Sequence, residues 1–136
     1  LYLLDTNVIS ELRRRHRAQR SVSQWVAGLE PALLHISVVT VLEIELGALL
    51  VARRDVITGT VLRRWIDSLL LPAFAGRILP VDTSVALRCA ILHVPNPRPE
   101  RDALIAATAL VHGLTLVTRD TADFQHAGLR LLNPWL

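Results

Sequence analysis

Short apolar runs alternate along the chain with longer stretches in which apolar positions return every three or four residues. The first pattern, bordered by turn residues, predicts strands at about residues 2–5, 33–37, 77–81, 115–118 and 129–132. The second predicts helices between them. One runs from a cap at Thr6 or Asn7 to about residue 15. Another covers about residues 21–29, where Val22, Trp25, Val26 and Leu29 share a face and Glu30-Pro31 ends it. Further helices are predicted at about 39–52, at 60–71 before Pro72, at 84–93, and from Glu100 to His112-Gly113 after the proline-rich segment 94–99. A helical turn at about 120–124 precedes the last strand. Short strands separated by helical stretches predict an α/β fold with a parallel sheet, and 136 residues suit one domain, 1–136.

In such a sheet, ligands bind outside the C-terminal ends of the strands, and several acids fall there. Asp5 closes the apolar run Leu1-Tyr2-Leu3-Leu4, and Asp120 ends Leu114-Thr115-Leu116-Val117-Thr118-Arg119 in the same manner. Asp102 lies in the first turn of its predicted helix. Glu43 sits in a helix that is apolar on most of its circumference, where a charge needs a partner or water. Gly47 shares its face and leaves room for a backbone or a ligand. Glu45, about 200° further round, reads as solvated or paired with an Arg.

Each acid also has a plainer reading. Asp5 and Asp120, or Asp123 after it, can serve as N-caps, and Asp102 can complement the helix macrodipole for roughly 0.3–1 kcal/mol. Carboxylates gathered at one sheet edge, however, repel one another and raise each other's pKa unless a cation neutralises them. Oxygen donors without a Cys ligand or a suitable His pair point to Mg²⁺ or Mn²⁺, not Zn²⁺.

Composition narrows the chemistry. All 15 basic residues are Arg, against 12 acids, so no P-loop and no Lys-based phosphotransfer site is possible. An all-Arg set is compatible with a nucleic-acid partner but is weak evidence for one, since an arginine-biased genome, the favoured reading, would produce the same count. No apolar run approaches the roughly 20 residues that span a bilayer, and the start lacks a secretory pattern, so a soluble cytoplasmic protein without membrane attachment is expected. The single Cys89 reads as a buried helical residue. The histidines, His16, His35, His93, His112 and His126, show neither HExxH nor a Cys-His zinc pattern.

Four strings occur in order along the chain: Leu3-Leu4-Asp5-Thr6-Asn7-Val8, Thr40-Val41-Leu42-Glu43-Ile44-Glu45-Leu46-Gly47, Asp102-Ala103-Leu104-Ile105-Ala106-Ala107-Thr108-Ala109 and Val117-Thr118-Arg119-Asp120-Thr121-Ala122-Asp123-Phe124. Together they resemble the PIN-domain family, and within it the VapC-type toxin ribonucleases of the FitB-like branch. The segment Phe74-Ala75-Gly76-Arg77-Ile78-Leu79-Pro80 and the ending Asn133-Pro134-Trp135 are similar to that branch as well. The resemblance implies a three-layer α/β/α sandwich around a parallel sheet. It also implies a Mg²⁺- or Mn²⁺-dependent endoribonuclease held inactive by a cognate antitoxin, in a homodimer that meets DNA only through the antitoxin. Asp5, Glu43, Asp102 and Asp120 are then the acidic pocket, with Asp5, Asp102 and Asp120 as metal-binding residues. Thr6, Asn7 and Thr118 are polar residues that order it, and Asp123 is a second acid of the last motif.

A site of this kind hydrolyses a phosphodiester with external water, leaving 5′-phosphate and 3′-hydroxyl ends. Arg13, Arg14, Arg15 and Arg119 can hold RNA phosphates or form a solvated face. The competing reading is a non-catalytic module that binds an antitoxin and regulates DNA with it, the acids being helix caps. A haloacid dehalogenase-like phosphatase needs a second Asp where Asn7 stands and a Lys, and both are missing.

Overall fold

The computed structural model of the chain describes residues 1–125 and 128–136; His126 lies outside the described residues. Five strands form one sheet: β1 Tyr2–Leu4, β2 Leu34–Ser37, β3 Ile78–Leu79, β4 Thr115–Val117 and β5 Leu131–Leu132, in the order β3-β2-β1-β4-β5. Every neighbouring pair is parallel. Among the described residues eight α-helices surround it: α1 Thr6–Arg13, α2 Arg20–Ala27, α3 Val38–Arg54, α4 Val56–Trp65, α5 Leu71–Ala73, α6 Thr83–Leu92, α7 Glu100–His112 and α8 Thr121–Phe124.

Strand alternation produces the three layers. Leu3 of β1 pairs in register with Leu116 of β4, and both are fully buried on one face with Val39, Ile105, Ala106, Ala109 and Phe124. Their successors Leu4 and Val117 point to the opposite face and pack with Val8, Ile9, Val22, Ile36 and Leu70. Both faces of the central strands are therefore covered by helices, which is why these strands read as unbroken apolar runs. The expected α/β/α sandwich is the one observed.

Boundaries differ from the sequence expectation where a side chain or a proline intervenes. Neither Thr6 nor Asn7 caps α1; Asp5 does, its carboxylate accepting the Thr6 N–H at 2.8 Å. The helix expected from residue 60 starts at Val56, because Asp55 caps it by accepting from the Thr58 N–H and hydroxyl. Pro72 does not stop that helical run. A π-helical turn at Ile66–Leu70 carries the chain into α5, and the widened turn accommodates the missing proline donor. Strand β3 is shorter than expected, two residues long, and Asp82 caps α6 by accepting from the Val85 N–H at 3.0 Å.

Gly47, read as leaving room for a backbone or a ligand, lines an open cavity with Glu43, and the close approach of helix backbones occurs elsewhere. A Cβ on Gly47 would meet nothing within 4 Å, whereas one on Gly59 would lie 2.5 Å from the Ala52 Cβ. Gly59 is thus what lets α4 fold back on α3. Among the described residues no helix is long and apolar enough to cross a membrane.

Candidate functional site

The central strand ends at the site. Asp5 follows Leu4, and its backbone N–H still pairs with the Val117 carbonyl of β4 at 2.9 Å, so the sheet fixes its position. Its side chain is 6 % exposed. One carboxylate oxygen accepts the Thr6 N–H, and the other accepts the Thr118 hydroxyl at 2.7 Å. Asp5 is therefore both the cap of α1 and a wall of a cavity, and the two readings of it in the sequence were not alternatives.

That cavity, of ≈ 570 Å³, opens at the C-terminal edge of the sheet and is lined by Asp5, Glu43, Asp102 and Asp120. Glu43 reaches it from α3, which starts where β2 ends. Its Oε1 accepts the Thr6 hydroxyl at 2.6 Å, and that hydroxyl lies 3.1 Å from the buried Thr40 hydroxyl. Its Oε2 faces Arg101 at 3.9 Å. Asp102 projects from the first turn of α7, as expected, and no donor or cation pairs with it among the described residues. Asp120 stands at the mouth of α8 without capping it and accepts from the Asn7 amide at 3.1 Å. Asn7 also donates to the Thr118 hydroxyl at 3.3 Å and accepts the Arg119 N–H at 3.4 Å, so it ties α1 to the end of β4.

Asp123 is placed differently. It lines a neighbouring cavity of ≈ 190 Å³ with Asp102, Phe124 and Arg98, behind the cavity that holds the other acids. Its influence on the site is electrostatic, through Asp102.

The charges in the cavity are frustrated. Burial pushes the Asp5 carboxyl up from 3.8 to about 6, opposed by its bonds from Thr118 and Thr6 and reinforced by Asp102 and Glu43. Asp102 is also raised, first by burial and then by Glu43, Asp123 and Asp120. A cation would relieve both. The donors are carboxylate oxygens and the cavity is large and open, so the residues present suit a hard, oxygen-seeking dication.

A second cluster needs comparison with the first. Among the described residues, the group whose ligand atoms all lie within 4.8 Å of one another is Cys89, His93 and Glu100, not the cavity acids. Cys89 on α6 and His93 at its C-cap are four apart, a proximity the sequence reading did not register. Here the thiol and His93 Nδ1 have partners, while His93 Nε2 is buried without a hydrogen bond among the described residues. The Cys89 thiol donates to Glu100 Oε1 at 3.6 Å, and burial, then Glu100, raises its pKa. His93 Nδ1 accepts the Arg98 N–H at 3.0 Å, so the neutral ring carries its proton on Nε2, 3.3 Å from Glu100 Oε2. A metal on Nε2 would have to displace that proton while Nδ1 is already occupied as an acceptor. Glu45, by contrast, behaves as anticipated, forming a two-pronged pair with Arg63 at 2.6 Å for each bond.

Sequence reasoning missed several residues at the cavity. Glu11 is buried there and paired with Arg14 at 2.8 Å; its spacing of four from Asn7 puts both on one face of α1 and is the signal that could have found it. Thr40, three residues before Glu43 on α3 and buried beside the Thr6 hydroxyl without lining the cavity itself, carries the same kind of signal. Trp135 lines the cavity with Arg119, whose guanidinium lies 5.5 Å from the indole centroid. No periodicity links two residues sixteen apart.

Comparison with known proteins agrees with this geometry. The PIN domain family matches residues 2–129. VapC ribonuclease Y4jK of Sinorhizobium fredii is 36% identical over 140 residues, covering 99% of this chain and 98% of the relative. Toxin FitB of Neisseria gonorrhoeae is 39% identical over 140 residues and 99% of each chain. Among solved structures, FitAB bound to an IR36 DNA fragment matches with a TM-score of 0.89 at 37% identity, covering 100% of this chain and 96% of the other. A toxin-antitoxin complex from Klebsiella pneumoniae matches with a TM-score of 0.71 at 28% identity and 98% of each chain. The chain belongs to the PIN-domain family.

Proposed function

We propose that the protein is the toxin of a type II toxin-antitoxin pair, working as a single domain that hydrolyses RNA phosphodiester bonds with Mg²⁺ or Mn²⁺. The observation that carries this reading is the cavity in which buried Asp5 and half-buried Asp102 lie with Glu43 and Asp120, neither Asp5 nor Asp102 being paired with an Arg among the described residues. Full-length kinship to a protein called a VapC ribonuclease and to one called a toxin supports the reaction class.

Asp5, Asp102 and Asp120 would hold the metal. When bound, the dication supplies positive charge for the scissile phosphate and lowers the pKa of a water molecule. The chain's own residues do the positioning. Thr6 N–H and the Thr118 hydroxyl fix both oxygens of Asp5, so its carboxylate cannot turn away from the cavity. Thr6 holds one oxygen of Glu43, which orients the attacking water and accepts its proton. Asn7 restrains Asp120.

The partners in this proposal are an RNA substrate, a cognate antitoxin, a second copy of the chain and, through the antitoxin, DNA. Solved relatives in complexes described as toxin-antitoxin or DNA-bound support them. Exposed Leu49, Leu50, Ile57 and Val61 on α3 and α4 supply apolar surface for protein partners.

The test is incubation of purified protein with labelled transfer and ribosomal RNA fragments, in Mn²⁺ and in chelator, beside Asp5→Asn. Cleavage to 5′-phosphate ends that needs both the metal and Asp5 supports the reading. Products ending in 2′,3′-cyclic phosphate, or cleavage unchanged by the substitution, would refute it. Antitoxin binding retained without any cleavage would favour a purely regulatory module.

A further inference from the structure

An RNA strand entering this cavity meets a problem of charge. Four carboxylates face it, and a dication at their centre attends only to the scissile phosphate. The adjoining phosphates need cations of their own, and three Arg residues line the cavity: Arg13, Arg14 and Arg119. Arg14 is committed to Glu11 at 2.8 Å. Among the described residues, the Arg119 guanidinium makes no hydrogen bond and no ion pair; its contact is with the face of Trp135, 5.5 Å from guanidinium carbon to ring centroid.

The form of that contact matters. A guanidinium held over an aromatic ring spends no N–H donor on a carboxylate, so those donors remain available to grip a phosphate in two-pronged fashion. The pair is also anchored. Asn133 donates from its amide to the Arg119 carbonyl at 3.3 Å and accepts the Trp135 N–H at 2.9 Å, while Asn7 accepts the Arg119 N–H at 3.4 Å. The chain end is thereby fastened to the residue next to Asp120. Trp135 remains partly exposed while packing against the core that contains Leu4 and Val117.

We infer that Arg119 and Trp135 form a nucleotide rest beside the acidic cavity, Arg119 binding the phosphate adjacent to the scissile one and Trp135 stacking on that nucleotide's base. This rests on the proposed RNA substrate and assigns Arg119 and Trp135 as positioning residues. Stacking on an indole is indifferent to base identity, so this rest adds affinity and register without sequence choice.

The experiment uses a fluorescein-labelled single-stranded oligoribonucleotide of mixed sequence, titrated with the full-length protein in Ca²⁺, beside cleavage kinetics in Mn²⁺. Arg119→Ala should raise Kd and KM about tenfold with kcat little changed, as expected for loss of a phosphate contact. The slope of log Kd against log salt should fall by about 0.7, one single-strand phosphate's worth. Arg119→Lys should recover only part of the affinity, since it keeps the charge and loses the planar fork. Tryptophan fluorescence should be quenched by the RNA in the parent protein and much less in Trp135→Phe, a difference that mere destabilisation would not produce. Thermal melts of each variant confirm folding.

Unchanged Kd, salt slope and quenching in the variants, with normal cleavage by the parent, would overturn the nucleotide rest and leave the nuclease intact. Arg119-dependent RNA binding by a parent protein that never cleaves would do the reverse. RNA binding absent from the parent itself would overturn both.

Discussion

Two clusters of titratable side chains, at the sheet edge and at the junction of α6 and α7, set the proposed metal seat against a hydrogen-bonded knot. Cys89, His93 and Glu100 are the closer-packed set, with ligand atoms within 4.8 Å of one another. Their protons are allotted: thiol to Glu100, Arg98 N–H to His93 Nδ1. At the sheet edge the carboxylates stand further apart, and burial, reinforced by Asp102 and Glu43, pushes Asp5 up to about 6. The proposed function follows the perturbed carboxyls that face an open cavity and not the closer-packed set.

Substitutions sharpen this contrast. The largest effect is expected for Asp5→Asn and Asp102→Asn, each lowering metal-dependent RNA cleavage by roughly 10²-fold or more, because several kcal/mol of charge stabilisation depends on them. Cys89→Ser and Glu100→Gln should change the rate less than about twofold, since neither touches the reacting atoms. Initial rates on a labelled RNA distinguish the two. If Cys89→Ser matched Asp5→Asn, the contrast would be reversed.

Removing Thr6 comes next. Thr6→Val keeps the shape and deletes the hydroxyl that holds Glu43 at 2.6 Å, so kcat should drop about tenfold with a smaller change in KM. Its backbone N–H still caps Asp5. Unaltered kcat would mean that Glu43 needs no orientation.

Stability should respond to pH in a direction opposite to that of an ordinary paired carboxylate. The folded state holds the Asp5 proton up to about 6, while an unfolded Asp releases it near 3.8, so folding is weakened as pH rises through that window. The penalty above pH 6 is on the order of 3 kcal/mol, from two pKa units at about 1.4 kcal/mol each. In chelator at pH 7.5, Asp5→Asn should therefore melt higher than the parent, by about 1–2 kcal/mol after the weakened Thr118 bond is deducted. At pH 4 the advantage should disappear. Mn²⁺ should raise the melting temperature of the parent and leave Asp5→Asn nearly unmoved. A lower melting temperature for Asp5→Asn at pH 7.5 would contradict a frustrated Asp5. The smallest effect belongs to Arg63→Ala: its pairs with Glu45 and Asp67 are solvent-exposed, so the melting temperature should barely move and cleavage should not change.

Much of this was written locally in the sequence. Leu3-Leu4 and Leu116-Val117 announce strands buried on both faces, and an acid directly after such a run has nowhere to go but the sheet edge. Glu43 in an apolar helix called for a partner and found one in Thr6. What stayed hidden depended on contacts between distant segments. The bonds that Asn7 makes require knowing that β1 and β4 are neighbours, and the placement of Asp120, not Asp123, on the cavity wall depends on how the chain turns at the start of α8. The π-turn that carries the helix past Pro72 breaks a rule that holds for ordinary helices. Trp135 reaches the cavity because Asn133 folds the chain end back onto Arg119.

The most direct test is anomalous diffraction from a crystal grown with Mn²⁺. The account predicts a strong peak within coordinating distance of the Asp5 and Asp102 carboxylates and none at Cys89, His93 and Glu100. A peak at the α6–α7 junction, with the sheet-edge cavity empty, would contradict it.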